Sequence, residues 1–401
     1  MAPAIVARFS EITLKGRNRS FFARRMAENA ALHLREHGGF RLRRENARLV
    51  IEGEEGTDTA AKILSGLPGI ANVSLVHRVP RDLEALCEAA LDFTAATLKR
   101  HPSPGERPLA FRVEVDRKDK RYPVQSMEVA AKLGAAILER FPTLKVNLTR
   151  PDFTLMVEIW EDGALLFDEK IPGPGGLAVG SSAKAVCLMS AGIDSPVAAY
   201  LMMTRGCPVV YLNFHSYPFI GEQSKEKVHE MVRYLARFQP ASRLYVAPFA
   251  EIQTAIRDRC PEGLRTILYR RMMNRVAGGL AAQEGALSLV TGEALGQVAS
   301  QTMENINVIR DAAPLPVLQP LIGMCKEEIV QRARRIGTYR ISIQPYPDCC
   351  TLFQPRHPET RAKPEQVRRA EAALPIEELV AACLGGLEVT DYGPQYYSAS
   401  W

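Results

Sequence analysis

Hydrophobic positions in the first 170 residues recur in short runs. PAIVARF is a brief apolar stretch, and EITLKGRNRS is a polar connection. Phe21, Phe22, Met26, Ala30 and Leu34 then fall at helical spacing. A helix capped by Asn18 or Ser20 is predicted to run to about His37, where Gly38-Gly39 stops it. FRLRRENARLVIEGE alternates like two strands of a one-sided sheet. This makes a small α+β unit. A second unit follows: a short helix over 59–65 ended by Gly66 and Pro68, the strand-like IANVSLVHRV, and a helix from about Leu83 to Lys99. The Pro-rich loop HPSPGERP leads to a strand that enters a dense basic turn. Ser126 is placed to cap a helix to Phe141, and a β-rich run with a turn at Glu161-Asp162-Gly163 ends the unit.

IPGPGGLAVGSSA (171–183) reads as a linker. Beyond it the pattern becomes α/β: AVCLM, a helix 195–205, PVVYLNF, a helix 222–237, RLYVAPF, a helix 249–258, a long helix 264–284, LSLV, and helices near 297–301 and 325–336. Strands alternating with helices predict a parallel sheet covered on both faces, with ligands bound beyond the carboxyl ends of its strands.

Composition narrows the class. With 401 residues, 46% hydrophobic and 24% charged, the chain is an ordinary globular protein of two or three domains. No apolar run is long enough for a membrane-spanning helix, and MAPAIVARFS lacks the apolar core of a secretory signal. A cytoplasmic protein with its eight cysteines reduced is expected, with no membrane association. Residues 1–50 hold eleven Lys/Arg against four Asp/Glu, an excess larger than the net +6 of the whole chain. A smaller basic excess lies at 355–370. Solvated helix faces account for such clusters in many proteins; a polyanionic partner, nucleic acid above all, is the sharper reading.

The strongest chemical signal is AVCLMSAGIDSPVAAYLM, 185–202. An apolar strand enters the small-residue turn Ser190-Ala191-Gly192 and leaves through Asp194-Ser195 into a helix. Small residues let backbone approach an anion, and the helix start supplies unpaired N–H groups beside the Ser190 and Ser195 hydroxyls. Without the lysine of a Walker loop, the turn suits pyrophosphate, leaving Asp194 to cap the helix or hold a metal. An ordinary strand-to-helix turn is the plain alternative.

This run resembles the S-G-G-x-D-S pattern of PP-loop ATP pyrophosphatases, except that Ala191 stands where glycine is usual. A positive φ there would penalise the methyl by about 1–2 kcal/mol. ARFSEITLKGRNRSFF, LYRRMMNRVA, TGEALGQVASQT, LIGMCKEEIVQRARRIGT and PYPDCCTLFQPRHPETR resemble blocks of the tRNA 4-thiouridine synthetase (tRNA sulfurtransferase) family, in the family's order. Residues 111–160 resemble a THUMP RNA-binding module. The resemblance implies an α/β PP-loop domain over 184–401, preceded by a ferredoxin-like domain over 1–60, a THUMP domain over 61–170 and the linker 171–183. The chain stops at Trp401, so the short form without a C-terminal rhodanese domain is expected; a role in thiazole synthesis for thiamine is left open, since that activity can reside in the rhodanese domain.

The resemblance also implies roles. Leu188, Met189, Ser190, Gly192, Ser195, Asn213, Phe214, Arg270, Gly292 and Gln301 would bind ATP, which would come with Mg2+. Asp194 and Lys326 would serve adenylation, although Cys325 stands where the family commonly has Asp. Cys350 would carry sulfur as a persulfide loaded by a cysteine desulfurase, while Cys187 and Cys207 would be structural. Lys15, Arg17, Arg19, Lys118, Lys120 and Arg121 would hold tRNA phosphates. A homodimer is implied. No residues are assigned to a metal: the chain has no CxxC, which leaves only a dispersed cluster of Cys260, Cys325 and Cys349 or Cys350 open. The rivals are a PP-loop ligase for small molecules, which has no need of a basic RNA module, and a non-catalytic RNA-binding protein with a degenerate nucleotide site.

Overall fold

The computed structural model describes residues 4–45, 47–53, 55–100, 108–345, 353 and 355–394. The chain divides into two compact units: residues 1–13, 34–66 and 70–175 form one, and residues 14–33, 67–69 and 176–401 the other.

Along the chain, β1 (Ala4–Phe9) is followed by α1 (Arg19–Leu34), β2 (Arg41–Glu45), β3 (Arg48–Glu52), α2 (Thr57–Ser65), β4 (Ile70–Val79) and α3 (Leu83–Arg100). Then come β5 (Ala110–Arg117), α4 (Ser126–Arg140), β6 (Lys145–Val146), β7 (Phe153–Trp160), β8 (Gly163–Phe167) and β9 (Ile171–Pro172). The first unit is built on one sheet of order β2-β3-β1-β4-β8-β7-β5-β6, with β9 also on β4. Strand β4 is the join. It pairs with β1 (Ala4 opposite Val76) and with β8 (His77 opposite Leu166), so the two sequence-read units share a strand. Arg8 reinforces the join: its Nη2 lies 2.9 Å from Glu158 Oε1 on β7, and its guanidinium covers the Phe167 ring. Burial of Ile5, Val6, Leu155 and Val157 supplies the apolar side. Helix α1 starts without a cap from Ser20, which is its second residue, and α4 likewise includes Ser126 as its first residue behind Gln125.

The second unit continues with β10 (Ala185–Leu188), α5 (Asp194–Thr204), β11 (Val209–His215), α6 (Glu222–Leu235), β12 (Ser242–Pro248), α7 (Ala250–Arg259), α8 (Arg265–Glu284) and β13 (Ser288–Val290). It ends with α9 (Met303–Arg310), β14 (Val317–Leu318), α10 (Lys326–Ile336), α11 (Tyr339–Ser342), α12 (Pro364–Glu371), α13 (Ile376–Gly385) and β15 (Glu388–Tyr392). Its sheet has the order β14-β13-β10-β11-β12-β15, parallel except for β15, which adds antiparallel to β12. The period-2 pattern divides each strand between two cores. Val186, Val210, Leu212 and Ala247 pack on the side of α7, α8 and α13. Cys187, Tyr211, Leu244 and Val246 pack on the side of α5, α6 and α10. The expected turn of helix at 297–301 is a 3-10 turn over Ala299–Gln301, and α9, α12, α13 and β15 were not anticipated.

Candidate nucleotide site

The turn between β10 and α5 is held by its own serines. The backbone N–H of Ser190 donates to Ser195 Oγ (2.9 Å), Ser195 Oγ donates to the Ser190 carbonyl (3.0 Å), and the Gly192 N–H donates to Ser190 Oγ (3.2 Å). Such closed local bonding fixes the loop before a ligand arrives. Phe353 is the one non-glycine residue of positive φ among the described residues. Ala191 therefore has an ordinary backbone, and its methyl is buried at no conformational cost.

Asp194 begins α5 but does not cap it. Its carboxylate accepts from Lys326 Nζ (2.7 Å) and from Gln297 Nε2 (2.9 Å). Two distant blocks, GMCKEE and TGEALGQ, thus meet the turn between β10 and α5. Cys325 is the residue before α10, and its N–H donates to Glu328 Oε2 (3.0 Å). An Asp at that position would serve as an N-cap, so the Cys replaces a cap and leaves Lys326 in place.

Gly292 fits against the same turn. A Cβ on it would lie 2.6 Å from the Ser195 backbone nitrogen and 2.8 Å from the Asp194 carbonyl carbon, so a side chain is excluded by backbone. Next to it, Glu293 is a buried hub that accepts from Arg270, from Gln319 and from Thr291 Oγ1 (3.0 Å). Arg270 is therefore aimed by a buried carboxylate. Its neighbour Arg271 does something else: with Arg275 it makes a double bidentate grip on Glu371, which anchors α12 to α8.

The remaining nucleotide candidates gather at the carboxyl ends of the strands. Leu188 ends β10, and Met189 follows, with its carbonyl accepting from Asn213 Nδ2 of β11 (2.9 Å). Phe214 is buried edge-on to Phe249, centroids 4.9 Å apart. Gln301 is buried, and its Oε1 has no partner among the described residues. The Oε1 of Gln297 is likewise buried and unpartnered. Two orphaned acceptors cost free energy unless a ligand donates to them, which fits a nucleotide's amine or hydroxyls. Gln297, Glu293 and Gln319 were not singled out in the sequence, because their roles depend on tertiary contacts.

The basic residues fall in two places. Lys15 covers the Phe22 ring (5.3 Å), while Arg17 and Arg19 are exposed; all three belong to the second unit. In the first unit the turn after β5 is exposed. Lys118 pairs with Asp116 (2.5 Å), and Arg121 with Asp119 (3.0 Å) and Glu161 (2.8 Å). The Arg121 and Arg81 guanidiniums hold the Asp119 carboxyl down to about 2. Lys120 makes no ion pair among the described residues. Cys349 and Cys350 lie outside the described residues. Cys187 and Cys207 are buried, and burial pushes the Cys187 thiol up to about 12, so it is inert at neutral pH. Among the described residues no three His, Cys, Asp or Glu side chains gather to hold a metal, and no helix is long and apolar enough to cross a membrane.

A strand–turn–helix at the carboxyl edge of a parallel sheet with helices on both faces is the architecture of the PP-loop class of ATP pyrophosphatase domains. Comparison with known proteins gives the family. A model described as a thiamine biosynthesis protein (ThiI) matches residues 180–376, a THUMP domain matches 80–168, and a ThiI ferredoxin-like domain matches 4–74. A probable tRNA sulfurtransferase of Moorella thermoacetica is 44% identical over 395 residues, covering 98% of this chain and 99% of its own. One from Thermus thermophilus is 44% identical over 390 residues, covering 97% and 93%. The crystal structure of a 4-thiouridine synthetase–RNA complex with bound ATP superposes with a TM-score of 0.88 at 35% identity, covering 98% of this chain and all of that one. The chain belongs to the tRNA sulfurtransferase family.

Proposed function

We propose that this chain thiolates the uridine at position 8 of tRNA. The meeting of Lys326 and Asp194 at a preorganised phosphate turn carries the reading. ATP is a co-substrate here. The Ser190 and Ser195 hydroxyls and the start of α5 would hold its phosphates, Gly292 would let the chain close on the turn, and Arg270, Gln301, Asn213, Phe214, Leu188 and Met189 would line the nucleoside. Uridine O4 attacks the α-phosphorus, the bond to the β-phosphate oxygen breaks, and pyrophosphate leaves. Lys326 stabilises the charge that develops on it. Mg2+ usually binds through one or two carboxylates together with substrate phosphates. Asp194, which also accepts from Lys326 and Gln297, would be the carboxylate that shares it.

In the second half, a persulfide on Cys350 supplies sulfur. Its terminal sulfur forms a bond to C4, the C4–O bond breaks, and AMP leaves with that oxygen. A second thiolate then attacks Cys350 Sγ, which frees the thiocarbonyl sulfur and leaves a disulfide for an external thiol to reduce. Cys349 is unsuited to be that thiolate: neighbouring Cα atoms lie about 3.8 Å apart, below the ~4.4–6.8 Å of ordinary disulfides. A cysteine desulfurase would load the persulfide, and the protein would act as a homodimer. The basic residues Lys15, Arg17, Arg19, Lys118, Lys120 and Arg121 would position tRNA through its phosphates.

The test is tRNA-dependent pyrophosphate release, run with tRNA and with free small substrates, alongside 4-thiouridine detected by mass spectrometry. Cys350→Ser should abolish 4-thiouridine and leave pyrophosphate release nearly intact; Cys349→Ser should be milder. Release driven by a small amine or acid instead of tRNA would move the chain to the ligases. No release with any substrate would leave a non-catalytic RNA-binding protein.

A further inference from the structure

Three aromatic residues have no part in the adenylation scheme. Tyr217 and Phe219 stand 64% and 49% exposed on the turn after β11, the strand that carries Asn213 and Phe214. The Phe219 ring meets Phe353 edge-on, centroids 5.3 Å apart, and the Arg257 guanidinium lies 4.7 Å from the Phe353 ring centre. Phe353 follows Cys350 by three positions and adopts φ 53°. That left-handed backbone is unfavourable for a bulky L-residue and persists only where the surroundings impose it, most often at functional sites.

The neighbourhood is basic. Arg259 ends α7, two positions beyond Arg257. The Arg356 N–H donates to Glu262 Oε1 (3.0 Å) and the Glu359 N–H to the Gly263 carbonyl (3.0 Å), which holds the 356–359 segment against the turn after α7. Asp258 takes part of this charge by pairing with Arg257. Exposed aromatics bordered by arginines match a polyanion with unstacked rings rather than an apolar protein face.

We propose that Tyr217, Phe219 and Phe353, backed by Arg257, form a stacking platform for an unpaired base of the tRNA beside the reacting uridine, with Arg259 and Arg356 on the flanking phosphates. The proposal rests on the thiolation reading. A uridine attacked at O4 and C4 inside a protein must leave its stack, and its neighbours then need a surface to replace the lost stacking.

The experiment uses the full chain and a full-length tRNA carrying 2-aminopurine at the nucleotide after the reacting uridine. Binding should change the 2-aminopurine fluorescence. Phe219→Leu and Phe353→Leu should each remove most of that change and lower kcat/KM for tRNA by about 5- to 150-fold, the range of one lost stacking contact. The affinity for ATP should hold, and Phe219→Tyr and Phe353→Tyr should behave like the parent. If a leucine variant loses ATP binding through misfolding, the fluorescence change retained or lost by the tyrosine variants decides. Unchanged fluorescence and kcat/KM in folded leucine variants overturn the platform. So does a defect confined to sulfur delivery by the desulfurase, which would assign the surface to that protein. A parent chain that changes 2-aminopurine fluorescence yet makes no 4-thiouridine would sink the thiolation reading while leaving the RNA contact standing.

Discussion

Lys326 and Asp194 lie 132 positions apart in the chain, yet the Lys326 ammonium sits 2.7 Å from the Asp194 carboxylate. Asp194 opens α5, Lys326 opens α10, and the two helices share the core on one face of the sheet. Both helix starts thus bring unpaired N–H groups and positive dipole ends to one place, where a lysine adds a full charge. Asp194 keeps that lysine oriented while half exposed, where an ion pair alone contributes little to stability.

A chemical rather than structural role for the pair follows. Lys326→Ala and Asp194→Ala are expected to leave the thermal transition nearly unchanged and to cut tRNA-dependent pyrophosphate release by about 10²–10³, the cost of one lost preorganised contact. Near-normal release from either folded variant would remove that residue from the adenylation step.

Two small residues, one against the turn and one in it, should respond differently: Gly292→Ala in stability and ATP binding, Ala191→Gly in stability alone. Gly292→Ala would push a methyl into the Ser195 and Asp194 backbone, so a loss of about 1–3 kcal/mol in stability is expected, together with weakened ATP binding. Ala191→Gly restores the residue usual in the PP-loop pattern, but Ala191 has no positive φ to relieve. It should lower stability by about 0.4–1 kcal/mol through a freer unfolded chain, with activity near that of the parent. A large gain in turnover from Ala191→Gly would mean that the alanine does impair the site.

What the sequence disclosed, and what it hid, follows from how local each signal is. Ser190, Asp194 and Ser195 sit in one strand–turn–helix segment, so their placement was legible from a run of eighteen residues. Gln297 and Glu293 were not, because nothing nearby in the chain says that one faces Asp194 and the other Arg270. The hydrophobic period revealed β10 to β13, whose strands are buried on both faces. It missed β15: EVTDY is mostly exposed, and it is a strand because β12 offers an open edge and because Arg243 grips Asp391 at 2.6 and 2.9 Å. Helix α12 was hidden in the basic run 355–370, where Arg368 and Arg369 masked the buried stripe of Val367 and Ala370.

The basic turn after β5 should contribute unevenly to RNA binding. Lys118 and Arg121 are already paired with Asp116, Asp119 and Glu161, whereas Lys120 has no acidic partner among the described residues. Lys120→Ala is expected to weaken tRNA binding more than Lys118→Ala. It should also flatten the slope of log affinity against log salt by about 0.7–0.9 if it neutralises one phosphate. Filter binding at several salt concentrations measures both. Equal slopes for the parent chain and a Lys118/Lys120/Arg121 triple alanine variant would take this turn out of the footprint.

The grip of Arg271 and Arg275 on Glu371 makes a prediction about pH. Burial pushes the Glu371 carboxyl up, but the two guanidiniums outweigh it and leave its pKa below the ordinary 4.5. A carboxyl whose folded pKa is depressed stabilises the fold fully above its unfolded value and loses that contribution as pH falls through the folded one. Glu371→Gln leaves Arg275 without its carboxylate and the deeply buried Arg271 with Asp311 alone, 3.3 Å away, so a deficit of about 3 kcal/mol, the low end for breaking a buried pair, is expected at pH 7. The deficit should shrink below about pH 4.5, where the parent's own Glu371 begins to protonate. Hydrogen exchange of peptides from α8 and α12 reads the effect locally, which matters in a chain of two units that need not unfold together. Protection lost by the variant at pH 7 and matched by the parent only in acid is the expected result. A deficit that stays constant from pH 7 to pH 3 would show that the carboxylate's charge is not what holds α12 to α8.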